Sequence, residues 1–367
     1  MRVLMLSKAC VAGIYQRKLE EMAARRSSLD LTLAVPASWR DERGITPLER
    51  VALQGYRLKV LPIAFNGSFH LHFYPTLARL LRDVAPDIVH IDEEPYNLAT
   101  SHANYLARRQ GAKTVWFSWQ NLLRNYPPPF CWIEAYNLRH VDYALVGSRS
   151  AAQVWRAKGY QGPLAVIPQF GVDPVLFSPP LTQRADPELH IAYVGRLVPE
   201  KGVDTLLEAL HGLPGSWHAT VLGSGPEEHR LRDQCEALGL AQRIAFMPWL
   251  PSAAMPDFYR GIDVLVLPSR SRPNWIEQFG RVLVEAMASG VVVIGSNTGE
   301  IPHVVGEAGL IFPEADAVVL REHLRVLLLA PELRANLGTQ GRARVLEHYT
   351  QQQIAESTVR VYEEMLR

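Results

Sequence analysis

Short apolar segments alternate with segments of helical periodicity along the whole chain of 367 residues. Apolar runs bounded by turn residues are typical of buried strands, whereas apolar residues spaced three and four apart indicate helices. The predicted strands are residues 2–6, 30–35, 58–63, 87–91, 113–117, 143–147, 164–167, 189–194, 218–222, 243–246, 263–267, 291–294 and 309–312. Helical periodicity lies between most of these strands, for example at residues 15–27, 98–110, 149–158, 227–238 and 317–329, and a closing helix is predicted at residues 351–366. This alternation predicts an α/β fold with parallel sheets covered on both faces.

The alternation is interrupted once, by a segment rich in Pro and Gly that follows residue 167 and ends at Pro179-Pro180. Such composition is typical of a connector between domains. The chain is also long enough for two domains that each bury a core. We therefore predict a first domain at residues 1–170, a linker at 171–185, a second domain at 186–350 and a closing helix at 351–367.

The composition, with 48% hydrophobic and 20% charged residues, is that of a globular protein rather than a disordered or membrane-spanning one. No apolar run approaches the 18 or so residues needed to cross a bilayer. Residues 1–6 lead directly into a strand pattern without the architecture of a signal peptide. Three scattered cysteines form no disulfide or metal pattern, and the twelve histidines show no metal-ligand spacing. We expect a cytoplasmic protein with no metal site and no nucleic-acid partner.

The net charge of +1 conceals an asymmetry between the two halves. Residues 1–180 hold 21 Lys and Arg against 14 Asp and Glu, which gives +7, and the remainder sums to −6. A positive first half suits an anionic acceptor or peripheral contact with the inner face of an anionic membrane, with ordinary surface variation as the alternative. The cations that would make such a face lie on the first predicted helix, beside Glu20 and Glu21; they are Arg17, Lys18, Arg25 and Arg26.

A glycine turn with two cations, Gly195 to Gly202, lies between a predicted strand and an amphipathic helix. Backbone amides and the helix dipole favour an anion at such a turn. Arg196 can hold a phosphate through two parallel hydrogen bonds, and Lys201 adds a mobile point charge. Alternatively, the two cations pair with Glu200 or Asp204 on a solvated face.

A second segment, Glu277 to Gly290, places two carboxylates eight positions apart at the start of an apolar helix. Glu285 lies among apolar residues, where an unpaired carboxylate would cost several kcal/mol. It must therefore meet a hydrogen-bond donor. A ligand hydroxyl is one candidate, and a neighbouring arginine or a backbone amide is the other.

These two segments occur in order with Gly223-Ser224-Gly225-Pro226, Pro268-Ser269 and Gly299-Glu300-Ile301-Pro302, and together they resemble glycosyltransferase family 4. The resemblance implies the GT-B architecture, in which two Rossmann-like domains face each other across a cleft and the closing helix crosses back to the first domain. It implies a retaining hexosyltransferase that uses a nucleotide-diphosphate sugar and no metal cofactor. UDP-sugar is the default donor and GDP-sugar the alternative. The acceptor would be a sugar, glycolipid or polysaccharide in cell-surface glycan biosynthesis.

The family pattern assigns roles to individual residues. Arg196 and Lys201 would neutralise the donor diphosphate, and Glu277 would lie near the sugar hydroxyls; these three are the expected catalytic residues. Glu285 would accept the ribose hydroxyls. The remaining donor contacts would come from the backbone, at Gly13, Gly195, Gly223, Ser224, Gly225, Phe279, Gly280 and Arg281.

The predicted acceptor side of the first domain departs from the pattern of relatives, many of which carry His-x-His or a His-Asp pair. The corresponding segments here are residues 90–96 and 117–121, and the second segment lacks a histidine. Solvated glutamates and a core tryptophan are the structural alternatives to a site. The candidate acceptor residues are Glu93, Glu94, Trp119, Gln120 and Asn121.

Three other functions are alternatives to glycosyl transfer. A nucleotide-sugar 2-epimerase has the same fold, but the Glu277–Glu285 motif together with Gly195-Arg196-Leu197 favours transfer. A catalytically silent nucleotide-sugar-binding protein would tend to lose the two phosphate cations, and both are present. A dinucleotide-dependent dehydrogenase needs Gly-x-Gly-x-x-Gly after the first strand, and residues 7–13 do not supply it.

Overall fold

The chain folds into two compact domains. The computed structural model describes residues 1–26, 28–41, 44–181 and 188–367. The first domain comprises Met1–Gly171 together with Gln351–Arg367, and the second comprises Val172–Thr350. Residue 27 of the first predicted helix and the predicted boundary at 185/186 lie outside the described residues.

The first domain is built on a seven-stranded parallel sheet with the order β5-β2-β1-β6-β7-β8-β9. Its strands are β1 (Arg2–Leu6), β2 (Asp30–Pro36), β5 (Arg57–Leu61), β6 (Ile88–Ile91), β7 (Lys113–Ser118), β8 (Tyr143–Val146) and β9 (Leu164–Val166). Its helices are α1 (Arg17–Arg25), α2 (Leu77–Val84), α3 (Leu98–Arg109), α4 (Phe130–His140), α5 (Arg149–Ala157) and α13 (Gln351–Met365). Two apolar clusters of buried residues, one on each face of this sheet, form the core.

The second domain has a six-stranded parallel sheet with the order β12-β11-β10-β13-β14-β15. Its strands are β10 (Leu189–Val194), β11 (Trp217–Leu222), β12 (Ile244–Met247), β13 (Val264–Leu267), β14 (Val292–Ser296) and β15 (Leu310–Phe312). The helices are α6 (Val203–Leu210), α7 (Glu228–Ala237), α8 (Met255–Arg260), α9 (Arg281–Ala288), α10 (Ile301–Val305), α11 (Ala317–Leu329) and α12 (Pro331–His348).

Every predicted strand is present, with ends within two residues of the prediction. The prediction missed a small antiparallel pair, β3 (Ser38–Asp41) with β4 (Gly44–Pro47). These strands are mostly exposed and polar, so they lack the apolar signal on which strand prediction rests. The described helices include none that is long and apolar enough to cross a membrane.

The predicted linker is largely part of the second domain. Val172 donates its backbone N–H to the carbonyl of Tyr349, and Val172 and Phe177 are buried in the second domain's core. Two apolar side chains therefore anchor a segment whose Pro and Gly content indicated a free connector.

The closing helix α13 belongs to the first domain, where it packs along α1. Its Tyr362 is fully buried, and the hydroxyl lies 2.6 Å from Nδ1 of His90 on β6. His90 is thus part of the core rather than of a surface that an acceptor could reach.

Both sheets reverse their strand order beside the first strand of the domain. The chain runs outward from β1 to β5 and then returns to β6 on the other side of β1; β10 and β13 repeat this arrangement. At such a reversal the loops after the two central strands diverge and leave a crevice, the usual ligand site of open parallel sheets. The loops after β1, β6, β10 and β13 are therefore the expected ligand-binding loops.

Candidate functional site

Glycines allow two loops, those after β10 and β11, to interlock at the carboxyl edge of the second sheet. Leu197 donates its N–H to the carbonyl of Ser224 at 2.9 Å. A Cβ atom at Gly223 would lie well under 3.0 Å from the Gly195 carbonyl oxygen, and one at Gly225 would meet the Leu197 carbonyl equally closely. Backbone therefore packs directly on backbone here, which gives these predicted donor glycines a structural role.

The same edge brings Lys201 and Glu277 together, 76 residues apart in sequence. Lys201 Nζ donates to Glu277 Oε2 at 2.6 Å, and the Ser269 hydroxyl donates to the same oxygen at 2.9 Å. Glu277 is 7% exposed. The lysine also lies over the ring of Trp275, 4.7 Å from its centroid. Lys201 thus pairs with neither Glu200 nor Asp204, the partners expected for a solvated turn; Asp204 instead pairs with Arg270 at 3.0 Å.

Arg196, the other predicted phosphate ligand, is exposed and forms no ion pair with any residue that the structure describes. Its backbone carbonyl accepts a hydrogen bond from the hydroxyl of Tyr193 at 2.7 Å, which fixes the turn. Burial raises the pKa of Tyr193 well above its ordinary value; Glu277 adds to this effect and Arg196 opposes it. The tyrosine hydroxyl is therefore within electrostatic reach of both candidate catalytic groups.

Glu285 is buried on α9 and holds two hydrogen bonds. The Tyr259 hydroxyl donates to Oε2 at 3.0 Å, and Arg281 Nε, one helical turn earlier, donates to Oε1 at 2.8 Å. Burial raises the pKa of Glu285, while Arg281 and Tyr259 act in the opposite direction. The arginine alternative drawn from the sequence is thus the arrangement in the structure. Binding of ribose at Glu285 stays a prediction.

Helix α9 begins at Arg281, directly after a glycine. Gly280 precedes the helix with φ +77°, a left-handed conformation that favours glycine, and no side chain caps the helix. The first N–H groups of a helix lack partners within the helix and attract anions. Phe279 lies just before this glycine, and its ring packs edge-on against Tyr349.

In the first domain, Glu93 forms a buried ion pair that the sequence did not predict. Lys8, in the loop after β1, pairs with Glu93 through both its ammonium and its backbone N–H, and His72 Nε2 lies 3.4 Å from the carboxylate. Burial alone would raise the pKa of Glu93, but Lys8 and His72 outweigh it and lower the pKa to about 2. The expectation that Glu93 accepts sugar hydroxyls is therefore not supported, because its oxygens are occupied.

Glu94 has a different environment. Oε2 accepts from the Ser118 hydroxyl at 2.5 Å and Oε1 accepts from the Trp119 backbone N–H at 2.8 Å. Burial raises the pKa of Glu94 to about 7, against the effect of these hydrogen bonds. A carboxyl group that titrates near neutral pH at the end of β6 suits exchange of protons with a hydroxyl.

The segment after β7 offers one open acceptor. Trp119 packs against Gly147, where any Cβ would collide with its ring, and its Nε1 donates to Gln169 at 2.8 Å. The Trp119 ring is therefore a packed part of the domain rather than an exposed surface for stacking on a sugar. Gln120 is 6% exposed, and its Oε1 has no hydrogen-bond partner among the residues that the structure describes. Asn121 lies beside it, half-buried.

Two further expectations for the first domain are changed by the structure. The Gly13 backbone N–H, expected to face the donor phosphates, donates to Glu49 at 2.6 Å, and a Cβ there would strike Val51. The proposed cationic face of α1 is also mostly neutralised. Lys18 is buried and donates to the Gln169 carbonyl, while the other three cations pair with carboxylates; these are Arg17 with Glu20 and Glu21, Arg25 with Glu356, and Arg26 with Glu363. The specific residues behind the membrane expectation therefore do not support it.

The raised pKa of Glu94 predicts a pH-dependent effect of Glu94→Gln on stability. A carboxyl whose pKa is raised by folding stabilises the protein below its unfolded pKa, and this contribution is lost as the pH rises through the folded value. We expect the variant to gain stability relative to the wild type between pH 5 and pH 8, by about 1–2 kcal/mol after allowance for partial exposure. Urea unfolding across this range measures the difference.

Glu93→Gln is the matched control, because the pKa of Glu93 is lowered instead. Its contribution is lost only as the pH falls through about 2. Breaking the buried pair with Lys8 should cost about 3 kcal/mol at every pH from 5 to 8. A Glu94→Gln difference that stayed constant over this range would contradict a neutral-range pKa for Glu94.

The sequence is similar to those of curated glycosyltransferases. A curated 2-deoxystreptamine N-acetyl-D-glucosaminyltransferase from Streptomyces fradiae is 33% identical over 179 residues, which are 43% of this chain and 41% of that protein. A GDP-mannose-dependent mannosyltransferase acting on a phosphatidylinositol monomannoside, from Mycolicibacterium smegmatis, is 31% identical over 166 residues, 43% of this chain and 44% of that protein. The chain spans less than half the length of these relatives.

Solved structures share the fold at low sequence identity. Sucrose-phosphate synthase from Thermosynechococcus elongatus superposes with a TM-score of 0.73 at 20% identity, covering 100% of this chain and 99% of that one. The Anabaena protein HepE in complex with UDP gives 0.75 at 16% identity, covering 99% and 100%. The predicted fold class, GT-B with two Rossmann-like domains, is confirmed.

Family models match both halves of the chain. The description "Glycosyl transferases group 1" matches residues 181–344, which contain the Lys201–Glu277 cluster, and "Glycosyl transferase 4-like domain" matches residues 13–169. The predicted enzyme class agrees with both. With each of its halves matched in this way, the chain belongs to glycosyltransferase family 4.

Proposed function

We propose that the protein is a retaining glycosyltransferase that moves a hexose from a nucleotide-diphosphate sugar to a sugar, glycolipid or polysaccharide acceptor. One observation carries the proposal. Lys201, Glu277 and Ser269 form a hydrogen-bonded cluster at the β10/β13 reversal. Lys201 lies on the same turn as the exposed Arg196. Two cations and a carboxylate at the ligand edge of a parallel sheet match the charges of a diphosphate and a hydroxyl-rich sugar.

The chemistry follows from the charge that develops when the bond from the anomeric carbon to the diphosphate breaks. The leaving phosphate becomes more negative and the sugar more positive. Arg196 and Lys201 would stabilise the leaving group, as fixed donors aimed at developing charge usually provide the largest catalytic contribution. The amides at the start of α9 would add to this stabilisation.

Glu277 would orient both partners. Its Oε2 holds Lys201 and Ser269, so the lysine is preorganised before the donor arrives. Its other oxygen would accept hydroxyl groups of the donor sugar. We assign Glu277 this orienting role rather than that of a covalent nucleophile, because its carboxylate is ion-paired with Lys201.

The donor base and the acceptor are the finer parts of the proposal. UDP-sugar is our first candidate, supported by the UDP complex of the structurally similar HepE. The GDP-mannose dependence of the mycobacterial relative keeps GDP-sugar as the alternative. For the acceptor, Glu94 and the unpartnered Gln120 Oε1 in the first domain are the groups best suited to bind a hydroxyl. We propose a role in cell-surface glycan biosynthesis.

The proposed reaction uses no metal cofactor. Arg196 and Lys201 supply the positive charge that a divalent cation supplies elsewhere, and the sequence has no Asp-x-Asp motif near the donor loops. This part of the proposal is open to direct test by chelation.

A panel of UDP- and GDP-sugars tests the proposal. A tight ligand raises the unfolding temperature by mass action, so thermal shifts identify the donor. Incubation of that donor with candidate acceptors should then release nucleoside diphosphate and form a product with the donor's anomeric configuration, read by NMR. An epimerised free sugar, or binding without any release of nucleoside diphosphate, would contradict a transferase.

A further inference from the structure

A cluster of two histidines and a glutamate, Glu188, His190 and His218, lies at the amino-terminal edge of the second sheet, opposite the proposed donor site. His190 and His218 are directly paired across the parallel strands β10 and β11, near the start of each strand. Glu188 lies just before β10, and its carboxylate is within hydrogen-bond distance of His218. The histidine rings have centroids 3.4 Å apart. Sequence spacing could not reveal this group, since 28 residues separate the histidines.

We propose that Glu188, His190 and His218 bind a divalent transition-metal ion, with Zn²⁺ as the best fit. One ligand atom from each residue can be chosen so that all three lie within 4.8 Å of one another. Ligands of a tetrahedral zinc ion are separated by about 3.3 Å, given metal–ligand distances of about 2.0–2.1 Å. His218 Nδ1–H donates to Glu188 Oε2 at 3.1 Å, so these two residues already meet, and metal binding would displace the shared proton. Small rotations of the side chains would therefore complete the site.

The hydrogen bonds around His190 prepare it as a ligand. Its Nδ1 lies 3.0 Å from the carbonyl oxygen of Gly261, which can only accept. Nδ1 therefore carries the proton, and the lone pair is left on Nε2. A backbone carbonyl that fixes the histidine tautomer in this way is the usual outer support of a metal-binding imidazole. The backbone N–H of His190 also donates to Asp263 at 2.8 Å, which holds the strand end in place.

The composition and exposure of the cluster favour zinc over the common alkaline-earth ions. Two imidazoles and one carboxylate, with a position left for water, are a frequent donor set for Zn²⁺. Mg²⁺ and Ca²⁺ prefer oxygen ligands throughout. The His218 and Glu188 side chains are 36% and 34% exposed, so an ion from solvent can reach them.

The site is separate from the proposed donor site. His190 lies near the amino end of β10 and Gly195 follows its carboxyl end, which places them about 16 Å apart along an extended strand. An ion bound there stabilises the second domain without touching the sugar donor. The ion would link the starts of β10 and β11, and His190 is in turn hydrogen-bonded to Gly261 in the turn before β13. We therefore expect the ion to affect unfolding rather than sugar transfer.

Metal titration of the full-length protein tests the proposal. After chelator treatment and dialysis, Zn²⁺ is added and binding is measured by calorimetry together with the thermal unfolding midpoint. We expect one ion per chain and an upward shift of the midpoint, whereas Mg²⁺ causes none. Co²⁺ should bind and give the visible absorption of a tetrahedral site.

Three variants and one control make the test specific. His190→Gln, His218→Gln and Glu188→Gln should each weaken Zn²⁺ binding at least about 100-fold, since the loss of an outer-shell partner alone costs roughly 10–100-fold. His229→Gln on α7 is the control, because His229 is exposed and pairs only with its helix neighbour Asp233. Unfolding midpoints without metal show whether a variant is folded. Binding of one Zn²⁺ that survives in folded variants of all three ligands, or no binding by the wild type, would overturn the proposal.

Discussion

Replacing Lys201 by alanine lowers the rate of sugar transfer by about 10²-fold or more, and Arg196→Ala has an effect of similar size. Loss of a single preorganised donor to a developing negative charge typically costs this much. The effect should appear in kcat, because the charge on the leaving phosphate grows only as the bond breaks. Steady-state assays with the identified donor and acceptor measure it.

Two companion variants separate catalysis from folding. Lys201→Ala removes the ion-pair partner of the buried Glu277, so it should also destabilise the protein. The double variant Lys201→Ala/Glu277→Gln also removes the buried negative charge, and it should recover stability while remaining slow. Arg230→Ala, which removes an exposed cation paired with Glu227 on α7, should leave transfer unchanged. Recovery of transfer in the double variant would contradict a phosphate role for the lysine.

The second large effect is expected from Gly223→Ala. Gly223 has φ +145°, and a Cβ atom would overlap the Gly195 carbonyl oxygen, which is backbone and cannot rotate away. We expect a loss of about 3 kcal/mol or more in the free energy of unfolding, since backbone strain and overpacking add. Chemical denaturation of the full-length protein measures this loss.

Gly239→Ala is the matched control for the glycine prediction. Gly239 also has positive φ, at +70°, but a Cβ there would have no atom within 4 Å. Only the conformational cost of about 1–2 kcal/mol remains. If the two variants lost equal stability, the interlocking of the β10 and β11 loops would not be the reason for the glycine at 223.

The strands, and the helices with clear apolar periodicity, were predictable from the sequence because their signals are local. The apolar runs and helical periods are properties of adjacent residues, so every predicted strand was found. The pair β3 and β4 was missed because its strands are short, polar and exposed. The linker was misplaced for the complementary reason, since Val172 and Phe177 are anchored by contacts with residues distant in sequence.

The candidate site was predicted in its positions but not in its pairings. Motif spacing indicated Lys201 and Glu277 separately, whereas their hydrogen bond depends on the reversal of strand order between β10 and β13. The bond from Arg281 to Glu285 was foreseeable, because residues four apart share a helix face.

The pairing of Lys8 with Glu93 was not foreseeable. The two residues are 85 positions apart and meet only because β1 and β6 are neighbours in the sheet. The pKa of Glu94 likewise depends on how deeply the fold buries it. Sheet order and burial are properties of the folded chain, and single-sequence patterns do not contain them.

The central claim is that protein cations of the second domain, rather than a metal ion, hold the donor diphosphate. Calorimetric titration of UDP and GDP into the chelator-treated full-length protein tests it, with Arg196→Ala/Lys201→Ala as the comparison and His190→Gln to account for zinc. We predict that one of the two nucleotides binds the wild type and His190→Gln equally well in EDTA, and binds the double variant at least about 100-fold more weakly. Binding that the double variant retains in full, or wild-type binding that appears only after Mn²⁺ is added, would contradict the account.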